Sequence, residues 1–203
     1  MERVIDMKKS FRVIWLTIPL LWLAFNAAAA PAWNFDAPHG EVNFKIKHIM
    51  TYVSGQFEKY GGTVKFDPDD PAGGAIDVSI EVKSINTREK KRDQHLLTKD
   101  FFEADKYPEI KFKSSEIRRK GGNEYVAKGT LTIKDVSKEF ELPFTFLGIV
   151  DNPFNDKQLI AGFNSEFTLD RLEYHVGDGK YFKLGQVGKD VTITLHFELL
   201  REK

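Results

Sequence analysis

Four segments of the chain alternate between apolar and polar residues, so that each segment has one apolar face. They cover residues 42–48, 76–82, 140–146 and 191–199. A period of two is typical of a β-strand, because successive side chains point to opposite faces of a sheet. The pattern therefore predicts four strands that each bury one face.

Four weaker strands are predicted between these segments. They cover about 57–66, 110–117, 125–133 and 160–169. Turn-forming residues separate the strands, as in the Asp- and Pro-rich stretch 67–71, since these residues favour tight turns. Adjacent glycines at 61 and 62 predict a bulge in the first of the weaker strands. The total is about eight strands.

One segment, about 88–102, does not follow the strand pattern. It places Leu96, Leu97 and Phe101 on one helical side. Asn86 stands three residues before Glu89, a spacing typical of a helix N-cap. The segment is therefore predicted to be a helix, and Pro108 prevents its continuation toward the next strand.

Short strands joined by tight turns, with a single helix, favour antiparallel pairing over a parallel α/β sheet. We expect an all-β fold, an eight-stranded antiparallel barrel with one inserted helix. Pro143 is expected at a bulge or strand end, because proline lacks the N–H that a ladder needs. A barrel of eight strands has an interior that is either filled by side chains or holds one slender ligand. Alternation alone leaves both possibilities open.

The N-terminal 32 residues have the pattern of a secretory signal. Lys8, Lys9 and Arg12 come before an apolar run at 13–25, and alanines follow at 27–30. The apolar run is short for a membrane span, which needs about 20 residues. We expect cleavage after Ala30 or Ala32, with Ala32 favoured. The result is a periplasmic or secreted domain, 33–203, without a stable membrane anchor.

The composition of the chain argues against some classes of partner for this domain. The chain has 30 basic and 30 acidic residues, and this balance gives no electrostatic footprint for nucleic acid. It has no cysteine, so neither a disulfide nor a lipidated cysteine is available. All but two of its 17 phenylalanines, Phe11 and Phe25, follow the predicted signal. A large apolar interior is therefore expected.

No catalytic or metal-binding motif is recognisable in the sequence. The five histidines are scattered, and no His-Glu-x-x-His pattern is present. A Gly-x-Ser-x-Gly nucleophile elbow is also absent. We therefore predict no catalytic residue, no metal and no cofactor. A chain with 30 acidic residues does not exclude a catalytic pair of carboxylates, but the sequence singles out no such pair.

Several ordered blocks of the sequence resemble the YceI-like family of lipid- and polyisoprenoid-binding proteins. The blocks, which run from about Trp33 to Leu199, include His39-x-x-Val42-x-Phe44-x-Ile46-x-His48, Arg92-Asp93-x-His95-Leu96, Tyr107-Pro108-x-Ile110-x-Phe112 and Gly129-x-Leu131-Thr132-Ile133. The resemblance implies a lipocalin-like barrel with a long apolar tunnel. The tunnel would take an isoprenoid chain or a similar amphiphile.

The inward faces of the four clear strands supply the candidate lining of that tunnel. The candidates are Phe44, Ile46, Val78, Ile80, Phe144, Phe146, Ile193 and Leu195. The alternative is that these side chains form an ordinary packed core. His48 ends one apolar row and is a candidate for the ligand's polar head, or a structural histidine. Arg92 and His95 are candidates for binding the same head group. The alternatives are that they lie on a solvated helix face, or that Arg92 pairs locally with Asp93.

The sequence thus favours a carrier of an isoprenoid-like lipid, which is not an enzyme. One alternative is an enzyme that acts on an amphiphile in the same cavity, and this would require an acid/base pair at the cavity floor. Another is an envelope stress or interaction module with a filled barrel. A homodimer is also compatible with the sequence.

Overall fold

The structure, a computed structural model, describes residues 30–203. Most of the predicted signal, residues 1–29, lies outside the described residues. Ten strands and two short α-helices follow one another within these residues. The strands are β1 Ala32–His48, β2 Thr51–Phe57, β3 Tyr60–Lys65, β4 Ala75–Glu81, β5 Ile85–Asn86, β6 Glu109–Gly121, β7 Glu124–Ile133, β8 Val136–Asp151, β9 Gln158–Asp170 and β10 Val187–Glu202, and the helices are α1 Lys90–Leu97 and α2 Lys180–Lys183.

Eight of the strands form a closed antiparallel barrel. Its order is β1-β3-β4-β6-β7-β8-β9-β10, and β10 pairs back with β1. The register places Phe44 opposite Ile193, so that apolar positions share the inner face. The predicted all-β, eight-stranded barrel is confirmed. Strands β2 and β5 are additional, since β2 pairs with β1 and β5 extends β2.

The weak strand predicted at 57–66 is wrong in detail. Two strands occupy the region, because β2 ends at Phe57 and β3 begins at Tyr60. The expected bulge is absent, since Gly61 and Gly62 pair in register with Ser79 and Val78. Gly62 instead has a φ of +131°, and a Cβ there would lie 2.2 Å from the carbonyl oxygen of Asp77. Close approach of two backbones, and not an extra residue, explains this glycine.

The inserted helix is shorter than the predicted 88–102. It begins at Lys90 because Arg88 has a φ of +66°, outside the helical region. Its N-cap is Glu89, whose carboxylate accepts from the backbone N–H of Lys91 at 3.0 Å. The predicted cap, Asn86, accepts instead from the N–H of Arg88 in the turn before the helix.

Pro143 does not lie at a bulge or strand end as predicted. It lies within β8 and pairs in register with Val126 of β7. Its carbonyl oxygen accepts from the hydroxyl of Ser165 on β9, and the β8–β9 ladder begins only at Thr145. The backbone nitrogen and oxygen of one extended residue face the same neighbour. The missing N–H therefore falls where there is no ladder to interrupt.

The two ends of the barrel differ in their packing. The closed end, at loops 66–74, 122–123 and 152–157, is filled by aromatic rings. Phe66 contacts the rings of Tyr125, Phe144 and Phe163 edge to face at centroid distances of 5.1, 5.5 and 5.5 Å. The mouth end, at loops 49–50, 82–108, 134–135 and 171–186, carries both α-helices and the extra strands.

Candidate functional site

The mouth end contains a cavity of about 620 Å³. Pockets for small molecules in proteins typically measure about 300–1,000 Å³. The walls are strands of the barrel, and the lid is formed by α1 and the segment 101–102. Most lining side chains are apolar, including Phe44, Ile46, Val53, Phe57, Ile110, Ile133, Leu169, Val191 and Ile193.

A second cavity of about 110 Å³ lies nearer the closed end. A small apolar cluster of Val42, Phe57 and Ile85 has Ile80 and Leu195 packed against it. Phe57 lines the larger cavity, whereas Val42 and Ile80 line the smaller one. The interior therefore contains two voids and is not a fully packed core.

The predicted site residues divide among three places. Six of them line the larger cavity, namely Phe44, Ile46, His48, Arg92, His95 and Ile193. Four line the smaller cavity, namely Val78, Ile80, Phe144 and Leu195. Phe146 lies in neither lining, and its ring contacts Phe66 and Phe163 in the closed end. Alternation correctly indicates the inner face, but it carries no information on depth along the barrel.

Arg92 is tied to Thr87, the residue that directly follows β5. Its Nε donates to the Thr87 hydroxyl and its Nη2 to the Thr87 carbonyl oxygen, both at 2.7 Å. The carboxylate of Asp93 accepts from the backbone N–H of the same threonine at 2.9 Å. Arg92 and Asp93 thus meet at buried Thr87, and this contact fixes α1 at the cavity edge.

His95 lies at the outer edge of the lining. Its Nε2 is 3.2 Å from a carboxylate oxygen of Asp100, and its ring stands edge to face with Phe101 at 5.1 Å. His48 lies across the mouth at the end of β1, where it pairs with Thr51 and Val187. The two imidazoles therefore place polar groups at the rim of the larger cavity, and neither of them lies at its floor.

The sequence argument did not single out Arg171, which lines the same cavity and is only 7% exposed. Its Nε donates to the Gly188 carbonyl oxygen at 2.8 Å, and its Nη1 donates to that of Val176 at 2.6 Å. Its Nη2 is buried without a partner. Burial lowers the pKa of this guanidinium, against the opposing charges of Asp170 and Asp178. A positive charge is thus held in apolar surroundings.

The wall of the larger cavity contains no carboxylate among the described residues, 30–203. One candidate metal cluster is found in the same part of the chain, formed by Asp36, His39 and Glu198. His39 is exposed, and its hydrogen bond with Asp36 raises its pKa. These three side chains do not contribute to either cavity.

Comparison with known proteins identifies the family of this chain. Residues 33–199 match the model of the YceI-like domain. The chain belongs to the YceI-like family. Protein YceI of Escherichia coli O157:H7 is 30% identical to it over 200 residues, which cover 97% of this chain and 100% of that relative. The resemblance drawn from the sequence blocks is confirmed.

Solved structures share the YceI-like fold. BcnA of Burkholderia cenocepacia superposes with a TM-score of 0.72 at 29% identity, over 82% of this chain and 99% of that one. A polyisoprenoid binding domain from Saccharophagus degradans superposes with a TM-score of 0.59, over 82% and 97% of the two chains. Its identity is 11%, so this second likeness concerns the fold alone.

Proposed function

We propose that this YceI-like protein binds and carries an isoprenoid-like lipid, with the hydrocarbon tail in the larger cavity, and that it is not an enzyme. The observation that carries the proposal is a cavity of about 620 Å³ whose wall is largely apolar and contains no carboxylate among the described residues. Removing apolar surface from water stabilises such a complex by roughly 25 cal/mol per Å². Binding of this kind is reversible and needs few polar contacts.

The polar groups of the lining set the orientation of the ligand. His48, Lys91 and His95 lie at the mouth, while Phe57 and Ile110 lie toward the barrel interior. A polar head would therefore face the rim, and the tail would point toward the barrel interior.

An isoprenoid is the preferred class of ligand for two reasons. The fold is shared with the polyisoprenoid binding domain of Saccharophagus degradans. Branched apolar chains also match a wall in which aromatic rings alternate with Ile, Leu and Val side chains. A quinone or a polyprenyl lipid would both suit this wall, since both present a branched tail and a compact polar head.

The proposed compartment is the periplasm or the exterior, on the evidence of the basic and apolar segments within residues 1–32. No helix in residues 30–203 is long and apolar enough to span a membrane. The carbonyl oxygen of Pro31 accepts from the N–H of Phe66 at 3.1 Å, and Ala32 pairs with Lys65. These contacts favour cleavage after Ala30, which retains both residues.

Native mass spectrometry of protein purified from its own envelope tests the proposal directly. We expect a bound hydrophobic molecule that organic extraction releases. Protein that leaves the envelope without any such molecule, and that takes up no quinone or polyprenyl phosphate when these are added, would contradict the proposal.

Substitution of Phe44 locates the ligand. Phe44→Asp places a carboxylate in the cavity wall, where burial without a partner is strongly unfavourable. We expect lipid retention to fall at least about ten-fold, which corresponds to about 1.4 kcal/mol. Thr192→Asp is the matched control, because Thr192 lies on β10 outside both linings. Equal lipid retention in folded Phe44→Asp and in wild type would remove Phe44 from the site.

A further inference from the structure

Exposed apolar side chains project beside the cavity mouth. They come from the β1–β2 turn and from the segment at α2, and we call them the mouth patch: Ile49, Met50, Tyr52, Phe182 and Leu184. Met50 is 92% exposed and Leu184 is 59% exposed. A group of large apolar side chains exposed on neighbouring segments is typical of an interaction surface.

The two parts of the mouth patch are joined at the rim of the cavity. The backbone N–H of Ile49 donates to the carbonyl oxygen of Gln186 at 3.0 Å. Ile49 and Gln186 both line the larger cavity. The Tyr181 ring stacks on Phe101 at 5.7 Å and so anchors α2 to the lid. The patch is thus built around the opening itself.

Positive charge surrounds the mouth patch. Lys45, Lys47, Lys180 and Lys183 are exposed and belong to the same two segments, 45–52 and 178–184. The only acidic residue of these segments is Asp178. Lys45 Nζ lies 5.3 Å from the centroid of the Tyr52 ring, so charge and apolar surface are interleaved. Apolar side chains among lysines are typical of surfaces that lie on anionic membranes.

The closed end provides a contrast. Phe154 is 96% exposed there, close along the chain to exposed Val150. The loop that carries Phe154 holds Asp156 and Lys157, and Asp151 beside it pairs with Lys203 at 2.7 Å. The other long loop of this end contains three aspartates within 66–74. An apolar side chain without an excess of positive charge around it is a weaker match for an anionic surface. The two ends of the barrel therefore differ in charge as well as in packing.

We propose that the mouth patch docks on an anionic lipid bilayer, so that a lipid passes between the membrane and the cavity without crossing water. The proposal rests on the carrier function proposed above. A bilayer fits better than a second copy of the chain, because two mouth patches face to face would bring their lysines together. Docking here would bury Met50 and Leu184 while the cavity opening faces the acyl chains.

Vesicle flotation with the full processed protein tests the docking. The vesicles are phosphatidylcholine alone, or phosphatidylcholine mixed with phosphatidylglycerol. We expect binding to the anionic vesicles that weakens as salt is added, because exposed charges are screened. The double variant Met50→Glu, Phe182→Glu should bind at least roughly ten-fold less, since it removes two apolar contacts and adds two negative charges. Lys47→Glu should bind about five-fold less or weaker still.

Phe154→Glu is the control, because it also replaces an exposed apolar side chain by glutamate, but at the closed end, where Phe154 is 96% exposed. It should bind vesicles as the wild type does. Loss of binding in this control, unchanged binding in the double variant, or a shift of the double variant from dimer to monomer in gel filtration would each overturn the docking proposal.

The bound lipid is measured separately on the same variants. A double variant that keeps its lipid but no longer binds vesicles supports docking as a step distinct from ligand binding. A wild-type protein that holds no lipid yet still binds anionic vesicles through the mouth patch overturns the carrier function alone and leaves the docking surface standing.

Discussion

At Gly62, two neighbouring strands of the barrel wall approach each other too closely for a side chain larger than hydrogen. A Cβ on this residue would lie 2.2 Å from the Asp77 carbonyl oxygen and 2.7 Å from the Val78 Cα. The residue also has a φ of +131°, which residues other than glycine rarely adopt. The neighbouring Gly61 has no atom within 4 Å of the same position. Only one of the two adjacent glycines is therefore required by the fold.

Gly62→Ala is expected to reduce the free energy of unfolding by about 2 kcal/mol or more, from backbone strain and from the clash with Asp77. Urea denaturation measures the change. Gly61→Ala is the control, and we expect it to stay within about 1 kcal/mol of wild type. Similar losses for both substitutions would contradict this account of Gly62.

At the scale of elements, the end of β9 positions the buried arginine of the cavity. Asp170 Oδ1 accepts from the backbone N–H of Leu172 at 2.9 Å, and its Oδ2 accepts from Lys189 Nζ at 2.8 Å. These bonds hold the short helical turn Arg171–Tyr174 against β10. Burial acts to raise the pKa of Asp170, but the bonds from Lys189 and Leu172 outweigh it and hold the pKa below its ordinary value.

A lowered carboxylate pKa stabilises the folded state above the unfolded-state pKa of about 3.9, and this contribution is lost as the pH falls through the folded-state value. Asp170→Asn should therefore be less stable than wild type at pH 7, and the difference should shrink below about pH 4. Thermal unfolding across this pH range measures it. Asp156→Asn, on an exposed loop of the closed end, is the control. A difference that stays constant with pH would contradict the role of the Asp170 charge.

At the scale of the whole molecule, the mouth half of the barrel holds the larger cavity, of about 620 Å³, and the closed half holds only the smaller one, of about 110 Å³. Phe66 is 1% exposed and contacts several rings of the closed end. Phe44 lines the larger cavity and is half-buried. The same residue type thus supports stability in one half and leaves room for a ligand in the other.

Phe66→Ala is expected to lower the free energy of unfolding by roughly 3–5 kcal/mol, because it removes a ring that is 1% exposed and packs against four others, beside only the smaller cavity. Phe44→Ala should lower it by less than about 2 kcal/mol in lipid-free protein, since its ring already borders an empty space. Urea denaturation of both variants, after removal of lipid, gives the comparison. Equal losses would mean that the mouth end is packed as tightly as the closed end.

The sequence by itself determined the barrel, because alternation records which side of a strand is buried wherever one face meets the core. It could not reveal β2, since Thr51–Phe57 has mostly exposed residues and lies partly outside the closed ring. It placed Phe44 and Phe146 on the same inner face, although only the first reaches the larger cavity. The alternation along a strand determines on which face of the sheet a side chain lies. Its depth along the barrel depends instead on how far each strand extends past its neighbours.

Tertiary structure alone decided where the interior is empty and what borders the opening. Arg171 and the mouth patch come from loops that carry no periodic pattern, and their burial or exposure follows from which segments meet at one end of the barrel. A void arises when side chains from distant segments fail to meet. That depends on the register and closure of all eight strands together, and no local stretch of sequence records it.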